Sequence, residues 1–310
     1  MIHTAFELLL STYARVAWDE RGGYRLVRGV RRLRPRKAWA DRFRVPGFGG
    51  GGREAGSGGV VLDLDLGTYP DCCMAFGLYE LATARLLRRL VREGDVVVDG
   101  GANLGYFTLL MASCVGPVSK GGRVHAFEPD PVNRERLVHH LGINGMADRV
   151  VVHPVALSDS GGRATLHRFV ATDSEHNHGM SSLYGAEDGA TEAYEVETVR
   201  MDEVLAGEGV SSVRVVKLDL EGAEPLAIGG MSGLLCGDEP PRVLGEYGFG
   251  EASRAGHPPA AWMERLLEVS KGGGADWRFE VVGRRLREVS LENGVLAGVS
   301  RQVNVLASRG

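Results

Sequence analysis

Lysine and cysteine are scarce in this 310-residue chain, and long apolar runs are missing. Lys37, Lys120, Lys217 and Lys271 are the only lysines, so arginine carries nearly all the positive charge. With heavy use of Gly, Ala and Val, this suggests a GC-rich bacterial genome. Four cysteines are present, Cys72, Cys73, Cys114 and Cys236. Adjacent cysteines resist the geometry of a mutual disulfide, and no C-x-x-C pair suggests zinc. Reduced cysteines of a cytoplasmic protein are therefore expected. The apolar stretch from Ala5 to Trp18 is interrupted by Glu7 and Arg15. It is too short and too charged to span a membrane, and it lacks the basic start and cleavage site of a signal peptide. A net charge of −4 removes any bulk attraction to nucleic acid. With 44% apolar and 25% charged residues, the composition is that of an ordinary globular protein. The chain is long enough to bury a substantial core.

The densest chemical signal is Val96-Val97-Val98-Asp99-Gly100-Gly101-Ala102-Asn103-Leu104-Gly105. The valines read as a buried parallel strand. The small residues turn the chain into an apolar helix from Tyr106. Gly101 and Gly105 permit unusual backbone angles and let a ligand approach the main chain. The next strand, Arg123 to Phe127, ends in Glu128-Pro129. An acid about 20 residues past a glycine turn accepts hydrogen bonds from ribose hydroxyls in nucleotide-type folds. A dinucleotide site wants G-x-G-x-x-G at this turn and an open helix N-terminus for a pyrophosphate. Asp99 puts a negative charge there instead. That charge repels phosphate and suits a cationic amino group. S-adenosylmethionine has a ribose, an ammonium group and no phosphate, so it is the expected cofactor.

Apolar residues at helical spacing predict a helix over 3–18. A strongly arginine-rich stretch follows over 21–44, which reads as a solvated face, a subunit contact or a seat for an acidic partner. Residues 47–59 are glycine-rich and read as a linker. This divides the chain into an N-terminal helical appendage with its linker, 1–59, and a main domain, 60–310. In the main domain strands and helices alternate: strands 60–66, 96–99, 123–128, 150–155, 213–219 and 242–246, with helices 78–91, 105–113, 131–143, 201–207, 222–231 and 259–269. Residues 158–200 read as irregular with one strand near 163–169. Two last strands, near 277–283 and 303–308, are expected as an antiparallel hairpin at a sheet edge. Such alternation implies an α/β fold with a mostly parallel sheet and helices on both faces.

A second cluster is Lys217-Leu-Asp219-Leu-Glu221-Gly222-Ala-Glu224. At period two, Lys217, Asp219 and Glu221 share one face while the segment stays extended. Charges at a strand's carboxyl end stand where open α/β sheets bind ligands. Glu246 ends the following strand and is expected beside them. The alternative for Lys217 and Glu224 is a structural ion-pair network.

These residues resemble the FkbM-type S-adenosylmethionine-dependent methyltransferases. The resemblance rests on Tyr79-Glu80, Asp99 to Gly105, Phe127-Glu128-Pro129, Gly179-Met-Ser-Ser-Leu183, Lys217 to Glu224 and Glu246, in order over roughly 60–250. Gly100 departs from the family's hydrophobe at that position. The resemblance implies a class I (Rossmann-like) methyltransferase fold with a seven-stranded sheet. It implies transfer of a methyl group to a hydroxyl or carboxyl oxygen of a small molecule, such as a natural product or sugar. Cofactor contacts are expected at Glu80, Asp99, Gly101, Asn103, Gly105, Glu128, Pro129 and Asp219. By fold order, adenine is expected near Ala156, Leu157 and Ser158. Asp219 is the first candidate for the base that takes the acceptor's proton, followed by Glu246, His178 and Glu221, with His176 also near. A set of His178, Asp219 and Glu246 is also a possible seat for Mg²⁺. The acceptor is a small molecule, and a homodimer is possible.

Three other readings compete. N-methylation is opposed because the strand end reads Asp219-Leu-Glu-Gly rather than Asn/Asp-Pro-Pro-Tyr. An NAD-dependent oxidoreductase is opposed by Asp99. A non-catalytic binding module is opposed by the intact acidic cluster.

Overall fold

The computed structural model describes residues 40–45, 59–65, 68–169, 180–185, 191–270, 276–292 and 295–310. The helix expected over 3–18, most of the arginine-rich stretch, the glycine-rich linker over 47–58, and His176 and His178 lie outside the described residues.

The chain enters as β1 (Ala40–Val45) and β2 (Val60–Asp65), then α1 (Tyr69–Ala75) and α2 (Leu81–Leu90). The alternating part begins with β3 (Val96–Gly100), α3 (Tyr106–Val115), β4 (Arg123–Phe127), α4 (Pro131–Ile143) and β5 (Val150–His153). A small second sheet follows: β6 (Ala156–Leu157), β7 (Gly162–Phe169), β8 (Ser181–Ser182) and β9 (Thr191–Val199). Alternation resumes with α5 (Met201–Gly207), β10 (Val215–Leu218), α6 (Glu224–Gly229), α7 (Ser232–Cys236) and β11 (Arg242–Tyr247). The last part holds α8 (Phe249–Ala255), α9 (Ala261–Val269), β12 (Trp277–Val281), β13 (Arg287–Val289), β14 (Leu291–Glu292), β15 (Val295–Leu296) and β16 (Val303–Arg309).

Eight strands form the central sheet, in the order β13-β12-β16-β11-β10-β3-β4-β5. β5, β4, β3, β10 and β11 pair in parallel. β16 runs antiparallel between β11 and β12. β12 and β16 therefore do pair, as the sequence suggests, but β16 is interior and β13 takes the edge, which makes one strand more than the seven expected. The chain leaves β3 toward β4 and β5, then returns to its other side as β10 and β11. This reversal puts a crevice at the carboxyl ends of β3 and β10, where open α/β sheets bind ligands.

Alternate residues of each central strand feed two apolar clusters, one on each face. Val97 and Val215 pack with Leu62, Leu87, Leu109, Met111 and Leu137. Val98 and Val216 pack with Met201, Leu235, Trp262, Met263 and Leu266 on the other face. Side-chain caps start two of the helices. Thr68 accepts from the Asp71 N–H ahead of α1, and Asp130 accepts from Val132 N ahead of α4.

Two departures have clear causes. Residues 158–200 are not irregular: β7 and β9 pair antiparallel from Gly162↔Thr198 to Phe169↔Thr191. Within β9 the burial alternates, with Val196 and Thr198 buried and Glu195 and Glu197 exposed. A strand with one solvated face carries many acids, and these mask its period of two. Within the segment assigned to the appendage, β1 pairs antiparallel with β2. Val45, Leu62 and Leu64 have no exposed surface, so this part is joined to the main domain by strand pairing.

Candidate active site

The turn after β3 is shaped by two glycines. Gly101 has φ of 73°, and a Cβ there would lie 1.9 Å from the carbonyl oxygen of Asp219. The ends of β3 and β10 thus come together only without a side chain. Gly105 has φ of 97° at the start of α3, where a Cβ would meet Leu137 at 2.6 Å. Between them Asn103 adopts φ of 51°, and its side chain accepts from Leu104 N at 2.7 Å. Such left-handed angles are available to Asn at modest cost.

Glu128 follows β4 and is buried in this turn. One carboxylate oxygen accepts from Asn103 N at 2.7 Å, the other from Asp130 N at 2.9 Å. Burial pushes its pKa up to about 7 against the pull of these N–H groups. A carboxylate has about four acceptor positions, so each oxygen keeps one for a ligand. Asp130 in turn accepts from Ser181 Oγ at 2.6 Å, which ties β8 of the small sheet to this corner.

Lys217 in β10 is almost fully buried. Its Nζ lies 3.2 Å from Asp99 Oδ1 and 3.5 Å from Asp219 Oδ2. It also sits 5.1 Å over the Phe107 ring. Burial opposes the charge, but Asp99 and Asp219 outweigh it and raise the Lys217 pKa. Asp99 accepts a second bond from Thr108 Oγ1 at 2.6 Å and has no exposed surface. Glu224 holds the following turn, accepting from Leu220 N at 2.7 Å and Gly222 N at 3.1 Å.

A cleft of about 420 Å³ opens over these strand ends. Glu80, Gly101, Asn103, Glu128, Pro129, Ala156, Leu157, Asp219, Glu221 and Glu246 all line it. Three residues expected at the site stand apart from its wall. Asp99 lies behind Lys217, which compensates the charge expected to meet an ammonium group. Gly105 faces Leu137. Ser158 is buried, with its N–H donated to Val199 O at 2.9 Å. Lys217 and Asp219 are adjacent as their spacing suggests, but Glu221 does not continue the row. Its φ of 53° turns the chain, and its carboxylate accepts from Arg254 Nη2 at 3.0 Å. Burial, with Asp219 next, pushes both Glu221 and Glu246 well above the usual carboxylate range.

Several residues in the wall or directly behind it carry no sequence signal. Arg254 comes from α8, an unexpected helix. Gln302 donates to Glu246 Oε1 from the loop before β16. Asn304 of β16 donates to Glu80 Oε2 at 2.8 Å and reaches Thr83 Oγ1 at 2.9 Å. Long-range pairings of this kind leave no local pattern. Among the described residues no group of three or more His, Cys, Asp or Glu is placed to hold a metal ion. The Mg²⁺ set is therefore not assembled from them. No described helix is long and apolar enough to cross a membrane.

A sequence model of the methyltransferase FkbM domain matches residues 99–271. The 31-O-demethyl-FK506 methyltransferase FkbM of Streptomyces tacrolimicus is 33% identical over 164 residues, which are 46% of this chain and 61% of that protein. The match thus spans less than two thirds of that relative. Among solved structures, a methyltransferase FkbM from Methylobacillus flagellatus KT superposes with a TM-score of 0.41 at 13% identity, covering 76% of this chain and 52% of that one. An O-methyltransferase from Bacillus cereus, in complex with SAH, gives a TM-score of 0.39 at 11% identity over 73% of this chain and 78% of its own. With more than half of its residues matched by the domain, from the turn at Asp99 through α9, this chain belongs to the FkbM methyltransferase domain family.

Proposed function

We propose that this protein is an S-adenosylmethionine-dependent O-methyltransferase that acts on a hydroxyl of a small molecule. The observation that carries the reading is Glu128: a buried carboxylate held open by two backbone N–H groups on the wall of the cleft. A nucleoside ribose offers the two hydroxyl donors that this arrangement can still accept. The cations of the cleft wall argue against a pyrophosphate cofactor. Lys217 is engaged by Asp99 and Asp219, and Arg254 by Glu221. S-adenosylmethionine supplies an electrophilic methyl group when bound. Glu128 would hold its ribose, Ala156 and Leu157 would flank its adenine, and Glu80 and Asp219 would face its ammonium group.

The acceptor end is acidic, with Asp219, Glu221 and Glu246 together. Such walls hold a neutral hydroxyl better than a carboxylate acceptor, which they would repel. Asp219 is anchored by Lys217 and suits orientation of the acceptor oxygen. Glu246 lines the wall beside Asp219, and burial with Asp219 next raises its pKa, which makes its ionised carboxylate a stronger base for the acceptor's proton. The acceptor hydroxyl would give its proton to that carboxylate as its oxygen takes the methyl carbon, while the carbon–sulfur bond breaks with its electron pair left on sulfur and S-adenosylhomocysteine departs. Oxygen rather than nitrogen as the acceptor agrees with the similarity to the 31-O-demethyl-FK506 methyltransferase of Streptomyces tacrolimicus.

The test is transfer of labelled methyl from S-adenosylmethionine to a panel of hydroxylated metabolites, with amines and carboxylic acids as controls. Label on hydroxylated compounds alone is expected. Label on amines alone would remove the O-methyl reading, and failure to bind S-adenosylmethionine in calorimetry would remove the cofactor.

A further inference from the structure

β16 is an unusual strand for its place. Val305, Leu306 and Ala307 at its middle are buried, as an interior strand requires. At its leading end stand two amides instead, Gln302 just before the strand and Asn304 within it. Asn is a poor strand former, and Asn304 stands directly opposite Glu246 in the pairing with β11. Because β16 runs antiparallel to β11, its start arrives where β11 ends, at the cleft. There Gln302 donates to Glu246, and Asn304 donates to Glu80 at 2.8 Å. Glu80 precedes α2 with φ of 38°, and its side chain makes no cap bond to that helix. Its carboxylate is reached from a strand near the far end of the chain.

We propose that Gln302 and Asn304 are positioning residues, each fixing one carboxylate of the cleft, Glu246 and Glu80 respectively, in its ligand-facing orientation. This rests on the reading of the cleft as a methyltransferase site. The residue type is the argument. A neutral amide donor orients a carboxylate and leaves its charge in place. A Lys or Arg would cancel the field that attracts a cationic ligand, and an apolar side chain would remove the donor that orients the carboxylate. Asn304 also reaches Thr83 Oγ1 at 2.9 Å, so the amide is itself held at two points. Three carboxylates face Glu246 from neighbouring segments: Asp219 and Glu221 after β10, and Glu251 of α8. Gln302 is the donor that offsets them.

The wild-type protein is first titrated with S-adenosylhomocysteine in a calorimeter; no binding there defeats the proposed function and leaves the geometry to be tested by crystallography. Asn304→Ala is expected to weaken binding about three- to tenfold, the scale of one lost hydrogen bond. Glu80→Gln should weaken it too, and adding Asn304→Ala to Glu80→Gln should weaken it no further, because coupled residues are not additive. Full additivity, or unchanged affinity in a folded Asn304→Ala protein, overturns the assignment. So does a crystal structure of Asn304→Ala with the Glu80 carboxylate unmoved. Gln302→Leu should leave cofactor affinity unchanged and move the acidic limb of kcat/KM to higher pH, with Gln302→Glu moving it further. An unmoved limb in both variants overturns the Gln302 half. Gln302 lies outside the strand and is exposed, so its variants remain informative if Asn304→Ala fails to fold.

Discussion

Lys217 is a cation with almost no water around it, held by two carboxylates at 3.2 and 3.5 Å. Its two partners do different work. Asp99 is wholly buried and balances it, whereas the Asp219 side chain is 30% exposed and reaches the cleft. Substitutions should therefore separate stability from turnover. Lys217→Met leaves Asp99 buried without a counter-charge and should cost about 3–5 kcal/mol of stability, read by urea unfolding. Asp219→Asn keeps the shape and leaves the Lys217–Asp99 pair intact. It should melt near the wild-type temperature while kcat/KM falls by about 10²–10⁴ if the carboxylate orients or deprotonates the acceptor. An Asp219→Asn protein with wild-type kcat/KM would pass the role to Glu246. The spacing of Lys217 and Asp219 made their contact readable in the sequence. What spacing alone cannot show is the left-handed turn at Glu221, which ends the extended row and delivers that acid to Arg254.

At the scale of elements, the turn between β3 and α3 is the tightest junction in the site. The backbone of Gly101 is left-handed and packs on the Asp219 carbonyl. Gly101→Ala is strained on both counts and should destabilise the protein by about 2–4 kcal/mol, combining backbone strain with overpacking. It should also weaken cofactor binding, because Asp219 must move; a thermal melt and a calorimetric titration check this, and a variant that melts and binds as wild type would mean the turn relaxes freely. This junction and the central parallel strands were legible, because each carries a local signal: a glycine pair and a valine run. The elements that escaped carry none. β9 hides its alternation among acids. α8 is only seven residues long and follows β11 after a single glycine. The insertion of β16 between β11 and β12 is a matter of topology, which is why Gln302 and Asn304 joined the site unannounced.

Across the whole molecule, folding and ligand binding meet at Glu128. Its pKa in the folded protein is about 7, raised by burial above that of an exposed glutamate. A raised carboxylate stabilises the fold fully below its unfolded pKa of roughly 4.3, and that contribution is lost as pH rises through about 7. The apo protein should therefore lose stability between those limits through this group. Ribose hydroxyls reverse the preference, because they donate to the ionised form. Binding of S-adenosylhomocysteine should then strengthen as pH rises to about 7 and level off above it, by up to roughly tenfold per pH unit on the acid side. Ligand-induced gain in melting temperature follows the same course, since tenfold in affinity adds about 1.4 kcal/mol at saturating ligand. Melts at pH 6, 7 and 8, with and without ligand, measure it. Glu246 and Glu221 also titrate upward, so the control is Glu128→Gln, which cannot ionise. That variant should bind about 1–3 kcal/mol more weakly at pH 8 and lose most of the pH dependence. If the dependence persists undiminished in Glu128→Gln, the titrating group belongs to the acceptor end of the cleft, and the ribose must be held elsewhere.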